Sequence, residues 1–283
     1  MAIIIGLIGV YFFAPYGITQ PPRINEPIKP KDLGLDYELL KVKTGDNFVL
    51  NGYWIKTDRV EAKGVLILLH GIGGCKEHFL HLSKELSYLG IESIVFDSRA
   101  HGVSGGEFCT YGFKEKHDIS KIVDRIKSVK PDYKIGIWGN SLGGAIALQT
   151  LEIEKRINFG IVESTFTELD QVVYDYKKRI LKGFGIKIIS DIALKRAGKI
   201  GDFDPDKVKP IESIKKIEQP MFMAHGDADK NISVDYGKAL YSQLKSIDKE
   251  LVIIKDGGHF NLFEKGGEEY KSNIFKFIER NLE

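Results

Sequence analysis

From about residue 37 onward, short apolar runs alternate with amphipathic stretches, and that rhythm predicts most of the fold. "YELLKVKT" and "NFVLNGYWIK" alternate apolar and polar residues on either side of Gly45 and Asp46, which predicts an antiparallel hairpin. The pattern then changes. "GVLILLH", "IESIVFD", "YKIGIWG", "FGIVES", "PMFMAHG" and "ELVIIKD" are continuous apolar runs rich in β-branched residues, the mark of strands covered on both faces. Helical spacing over 78–89, 114–128, 142–152 and 234–246 separates most of them. Together these predict an α/β fold: a mostly parallel central sheet with helices on both faces, made mixed by the entering hairpin. One stretch breaks the order. Residues 165–218 are helical in character and too long for a single crossover helix, so part of them is expected to form a short helical lid insertion.

The N-terminus has a different pattern. "MAIIIGLIGVYFFAPYGI" carries no charged side chain, and the first charged residue is Arg23. Spanning a bilayer takes about 20 largely apolar residues, so the run sits at the short end of a membrane helix. It lacks the basic start and A-x-A-like site of a cleaved signal peptide, and no cysteine follows for a lipid anchor. The expectation is a single-pass signal anchor over 1–20, a proline-rich linker over 21–36 and one catalytic domain over 37–283; a buried N-terminal helix is the competing reading. Arg23, Lys29 and Lys31 after the run lean towards a cytoplasmic domain.

Composition narrows the partners. The 283 residues suit one α/β domain, and 43% hydrophobic with 28% charged residues is ordinary for a globular chain. The 41 basic residues against 39 acidic ones leave no global reason to expect a nucleic-acid partner. Two cysteines, Cys75 and Cys109, are too few for a disulfide scaffold, and they are not expected to pair. No H-E-x-x-H or Cys/His set suggests a metal, and no cofactor is implied.

The chemistry starts from a duplicated signature. "GVSGG" at 102–106 and "GNSLG" at 139–143 both spell G-x-S-x-G, the turn that presents a nucleophilic serine in many hydrolases. That turn needs a strand running in and a helix running out. Ser141 has both: "YKIGIW" precedes it and "LGGAIALQTLE" follows. Gly139 and Gly143 leave room for close strand–helix packing. Ser104 is cut off from its strand by "SRAHG" and is followed by no helix start, so Ser141 is the candidate nucleophile.

A serine hydroxyl needs a base held by a third group. His259, in "KDGGHFNLF", follows the last apolar strand on a glycine loop, where a base could reach the sheet edge. His225 ends a strand and reads as a buried structural histidine; His78, His81 and His117 fall on helical stretches, and His101 in a turn. The orienting acid is expected between serine and histidine in chain order, where Asp227 and Asp229 of "HGDADKNIS" and Glu163 of "VES" are open alternatives. Glu163 reads more naturally as a hydrogen-bond partner of the loop after it. Two N–H donors must face the developing oxyanion. Leu142, directly after the serine, and Ile72, in the turn made by His70 and Gly71, are the candidates, with His70 bracing the loop.

"LLHGIGG", "FDSRAHGVSGGEF", "GIWGNSLGGAIAL", "MFMAHGDADKNIS" and "GGHFNLF", in that order, resemble the α/β-hydrolase superfamily, most of all its serine aminopeptidase-like and monoacylglycerol-lipase-like branches. The resemblance covers about 37–283. It implies Ser141, Asp229 and His259 as a catalytic triad with Ile72 and Leu142 as oxyanion donors. It also implies that Asp97, Arg99, His101, Gly102 and Ser104 form the supporting D-x-R-G-H-G-x-S-like turn, in which Ala100 stands where relatives carry glycine.

Three rival motifs are weaker. "HGIGGCK", with Asp97 after the next strand, approaches a dinucleotide fingerprint, but Lys76 occupies the place of the third glycine. "DFDPDK" at 202–207 mimics an EF-hand start without its central glycine or its terminal glutamate; helix capping or a hinge fits it better. Residues 177–199 carry eight basic side chains and one acidic one, a pattern that could settle on anionic lipid. The sequence therefore predicts a serine hydrolase acting on an ester, thioester or amide, carboxylesterase- or lipase-like. A peptidase and a non-catalytic binding or scaffold protein on the same fold are the alternatives. The expected partners are a small acyl, lipid or peptide substrate and a membrane.

Overall fold

In a computed structural model the backbone is described for residues 2–57, 59, 61–180, 182–183 and 186–283, and side chains from residue 11 onward except that of 180. The elements in chain order are α1 (Ala2–Thr19), β1 (Tyr37–Lys43), β2 (Val49–Ile55), β3 (Gly64–Leu69), α2 (Leu80–Tyr88), β4 (Ile91–Phe96), α3 (Glu115–Val129), β5 (Ile135–Asn140), α4 (Leu142–Ile153) and β6 (Phe159–Glu163). There follow α5 (Leu169–Ile180), α6 (Lys187–Gly201), α7 (Pro210–Ser213), β7 (Met221–Gly226), α8 (Val234–Gln243), β8 (Lys249–Ile254) and α9 (Leu262–Leu282).

The eight strands form one sheet in the order β1-β2-β4-β3-β5-β6-β7-β8. The β1–β2 hairpin pairs antiparallel with β4, and every pair from β4 to β8 is parallel. Side chains alternate across a strand, so β3 deals Val65, Ile67 and Leu69 to one face and Leu66 and Leu68 to the other. The first face packs under α3 and α4, the second under α2 and α9. Each residue of β3, β4 and β7 is buried, which is why those runs read as continuously apolar.

Two expectations change at the ends of the chain. Among the described residues no helix is long and apolar enough to cross a membrane, so the expected single-pass anchor finds no support. Met1 and the side chains of 2–10, half of that expected anchor, lie outside the described residues. The C-terminal turn of α1 is held on the body of the fold: Thr19 is fully buried, Cys109 N–H donates to Thr19 O at 2.7 Å and the Tyr111 hydroxyl donates to Ile18 O at 2.5 Å. Residues 21–36, expected as a linker, also run along the body, where Pro21, Pro30 and Leu35 are buried. At the other end, the strand–helix rhythm did not single out α9, whose helix is interrupted at Gly267 (φ 60°, ψ −156°).

Residues 165–218 contain α5, α6 and α7. Their last part belongs to the core: Val208, Ile214 and Ile217 are fully buried. "DFDPDK" acts as a cap, with Asp202 ending α6 in the left-handed region and Asp204 accepting the Asp206 N–H at 3.1 Å. Among the described residues no group of His, Cys, Asp or Glu is placed to hold a metal ion. Leu181, Phe184 and Gly185, part of the basic stretch, lie outside the described residues.

Candidate active site

β5 runs into a turn whose Ser141 has φ 54° and ψ −118°. A non-glycine residue there stores about 1–3 kcal/mol of strain, which surrounding bonds must hold in place. Ser141 N–H donates to Glu163 O at 2.9 Å, and Ser141 O accepts from Thr165 Oγ1 at 2.7 Å and Ala145 N–H at 3.2 Å. Glycine is required on both sides. A Cβ on Gly139 would sit 2.2 Å from Gly143 O, and one on Gly143 would sit 2.1 Å from Leu69 O. The start of α4 is thereby pressed onto the carboxyl ends of β3 and β5.

The loops after β7 and β8 bring the other groups to the same edge. Asp227 N–H donates to Ile254 O at 3.1 Å, Ala228 N–H to Gly257 O at 2.9 Å, and Asp256 N–H to Asp227 Oδ1 at 2.7 Å. Asp227 thus knits the two loops together, while Asp229 turns inward. Asp229 Oδ2 lies 2.7 Å from His259 Nδ1, and His259 Nε2 lies 2.9 Å from Ser141 Oγ. With Nδ1–H donating to the carboxylate, Nε2 is left to accept the serine proton. Asp229 Oδ1 accepts the N–H groups of Asn231 (2.7 Å) and Ile232 (3.0 Å), and its side chain has no solvent exposure. Burial alone would raise the Asp229 carboxyl, but hydrogen bonds from His225, His259 and Ile232 outweigh it and hold its pKa well below the usual range. His225 sits 3.5 Å from Asp229 Oδ2 and bonds Ile232 O at 2.9 Å, so it braces the acid.

The loop after β3 lies beside the serine. A Cβ on Gly71 would be 3.4 Å from Ser141 Cβ, and Gly74 N–H closes a turn onto Gly71 O at 3.0 Å with Gly73 at φ 68°. Ile72 occupies this turn with its side chain half exposed, so its backbone N–H is what it can offer the site. Leu142 is the first residue of α4, whose N–H has no acceptor within the helix. His70 Nδ1 bonds Gly71 O at 2.8 Å and its Nε2 accepts Ser98 N–H at 3.0 Å. Burial and the neighbouring His101 push its pKa down to about 3, which keeps the ring neutral as a brace.

The second serine is occupied differently. Ser104 Oγ donates to Asp97 O at 2.6 Å and accepts Asn51 N–H at 2.8 Å. Asp97 accepts Lys76 N–H at 2.9 Å, Lys76 Nζ at 2.8 Å and Val103 N–H at 3.0 Å, so a ribose would find this carboxylate already engaged. Arg99 bonds Asp118 at 2.7 and 2.8 Å and Asp46 at 2.8 Å, and His101 Nδ1 bonds Arg99 O at 2.9 Å. Ala100 has φ 62°, a conformation that suits glycine better. Sequence reading missed Arg23, whose guanidinium donates to the carbonyls of His101 (3.4 Å), Gly102 (3.2 Å), Ser104 (2.6 Å) and Gly106 (2.5 Å). Its partners lie some eighty residues away, and no local pattern announces them.

Glu163 is buried against other partners than the expected loop. Its carboxylate accepts Trp138 Nε1–H at 2.9 Å and the Tyr270 hydroxyl, and burial raises its pKa. It lines a cavity of about 620 Å³ with Trp138, Asn140, His259 and Phe263. Cys75 and Cys109 are free and buried, and burial pushes the Cys75 thiol up to about 11.

A mostly parallel eight-stranded sheet, crossed at its carboxyl edge by a strained strand-to-helix turn, is the α/β-hydrolase fold. Residues 60–202, just over half of the chain, match the Hydrolase_4 family, described as "Serine aminopeptidase, S33", and the chain belongs to that family. It is similar to the uncharacterised protein YqkD of Bacillus subtilis, with 29% identity over 81% of this chain and 76% of that one. It is also similar to the lysophosphatidylserine lipase ABHD12 of Macaca fascicularis, with 27% identity over 67% of this chain and 47% of that longer protein. Among solved structures, an esterase of Pyrococcus furiosus superposes with a TM-score of 0.78 and 26% identity, covering 94% of this chain and 99% of its own.

Proposed function

We propose that the protein is a carboxylesterase- or lipase-like serine hydrolase working through an acyl-enzyme. The observation that carries this is the hydrogen-bonded row from Ser141 Oγ through His259 to Asp229, at 2.9 and 2.7 Å. Ser141 attacks the carbonyl carbon of an ester, thioester or amide while His259 Nε2 takes its proton. The carbonyl oxygen becomes an oxyanion held by the N–H groups of Ile72 and Leu142; losing one such donor costs about 2.7–4 kcal/mol of transition-state stabilisation. His259 then hands its proton to the leaving group, Asp229 keeps the imidazole oriented, and water releases the acid by the same route. The cavity beside His259 has a volume of the size small-molecule sites occupy. We take α5 and α6 as the lid; its support is Arg179 of α5, which donates to Lys230 O at 2.9 Å and Asn231 Oδ1 at 2.6 Å in the Asp229 loop. The similarity to an esterase supports an acyl substrate, and that to a lysophosphatidylserine lipase supports one with a lipophilic part.

The family description favours a second reading, a serine peptidase on the same triad. An alkyl fluorophosphonate probe should label the wild type and Ser104→Ala but not Ser141→Ala. No labelling of the wild type would favour a binding or scaffold protein. A panel of p-nitrophenyl esters of rising chain length against aminoacyl and peptidyl amides then separates esterase from peptidase.

A further inference from the structure

Helices α1 and α6 lie against each other, with the Arg196 guanidinium 5.2 Å from the centre of the Tyr11 ring. Their outward residues are not those of a water-facing helix pair, which would carry polar side chains there. Phe13 is 75% exposed, Ile188 64%, Phe12 52% and Ile192 47%. On α6, Ile188, Ile192, Lys195 and Lys199 fall on one stripe, all exposed, apolar at one end and basic at the other. Acids are confined to one side of α6: Lys187 pairs with Asp170 and Asp191, and Asp206 lines the same groove beside Lys195. Lys178, Lys182, Lys195 and Lys199 are exposed and form no ion pair among the described residues.

We infer that the α1–α6 pair is a docking surface for an anionic lipid bilayer, lying in the plane of the interface rather than crossing it. Aromatic and branched side chains enter the acyl boundary while the lysines meet the lipid phosphates. The surface is tied to the active site. From α1 the chain passes through Thr19, bonded to Cys109 N–H, to Pro22, which is 3.3 Å from where a Cβ on Gly73 would sit. Beside the site Ile72 and Phe260 are exposed, so a bilayer-borne acyl substrate meets apolar side chains there. That last link rests on the hydrolase reading; the docking does not.

The test is co-flotation of the full chain with vesicles of phosphatidylcholine alone or mixed with phosphatidylglycerol, over a salt series. Binding is expected to favour the anionic vesicles and to fall steeply with salt. Lys195→Gln with Lys199→Gln should weaken it roughly tenfold or more. Phe12→Ser with Phe13→Ser should do the same through lost apolar burial. Alkaline carbonate should release the bound protein, and all variants should keep the wild-type melting profile. Absence of flotation at low salt overturns the proposal. So does retention through carbonate, which means a spanning segment, or lipid-free dimerisation abolished by the phenylalanine changes, which means a second copy covers this face. Fluorophosphonate labelling of Ser141 on the same preparation reports the hydrolase reading separately.

Discussion

Asp229→Asn separates the orientation of His259 from the presence of the serine. The carboxylate has no solvent exposure, and its two oxygens do different work: Oδ1 accepts Asn231 and Ile232 N–H, Oδ2 accepts His259 Nδ1–H. Asparagine keeps an acceptor for the two backbone groups, so the loop should hold its shape. Its amide then faces the imidazole and selects the other tautomer, leaving Nε2 protonated and unable to take the Ser141 proton. In trypsin the same exchange lowers kcat about 10⁴-fold. Four decades at 1.36 kcal/mol each correspond to about 5.4 kcal/mol of lost transition-state stabilisation. Folding should lose less, about 1–3 kcal/mol for the charge-assisted hydrogen bond from His259 and a smaller share for the longer contact from His225 at 3.5 Å. The assay pairs kcat on a p-nitrophenyl ester at neutral pH with a urea titration. A variant within about tenfold of wild-type kcat would refute the orientation argument. The pH dependence of stability gives a second check. The Asp229 pKa is depressed in the folded state, so its contribution is present above the unfolded value of about 4 and is lost as pH falls below it. The stability gap between wild type and variant should therefore narrow in acid below about pH 4, and a gap that widens there has the wrong sign.

Other expectations are shorter to state. His70 has a folded pKa of about 3 against an ordinary 6.5, so only the unfolded chain binds the proton between those values. Acidification from pH 7 to 5 should cost about 2 kcal/mol through this residue, and His70→Gln should show a correspondingly smaller loss in urea titrations at the two pH values. Gly143→Ala places a Cβ 2.1 Å from Leu69 O, backbone that cannot step aside cheaply. It should lower stability by about 1–3 kcal/mol and abolish probe labelling of Ser141. Labelling at the wild-type rate would mean the turn tolerates a wider strand–helix gap. Arg23→Ala strips one guanidinium from four carbonyls of the 101–106 turn. It should raise amide hydrogen exchange in that turn and cost about 1–3 kcal/mol; unchanged exchange would show the turn holds itself.

What could be read from the chain was what local physics decides. Period-two and period-3.6 patterns mark elements because burial acts on neighbours in sequence, so the hairpin, the buried strands and most covering helices were legible. The glycines around Ser141 were legible for the same reason, since a steric demand within five residues leaves its mark in those residues. That context separated Ser141 from Ser104, whose hydroxyl the fold commits to Asp97 O and Asn51 N–H. Tertiary structure decided the rest, because long-range partners leave no spacing to read. Only the fold reveals that Glu163 meets Trp138 and Tyr270, that Lys76 occupies Asp97, that His225 reaches Asp229 and that Arg23 clasps a turn some eighty residues away. The N-terminal segment makes the same point. An uncharged run is equally the sequence of a spanning helix and of one laid against a protein surface, and only the packing of Thr19, Pro21 and Tyr11 shows which contacts this one makes.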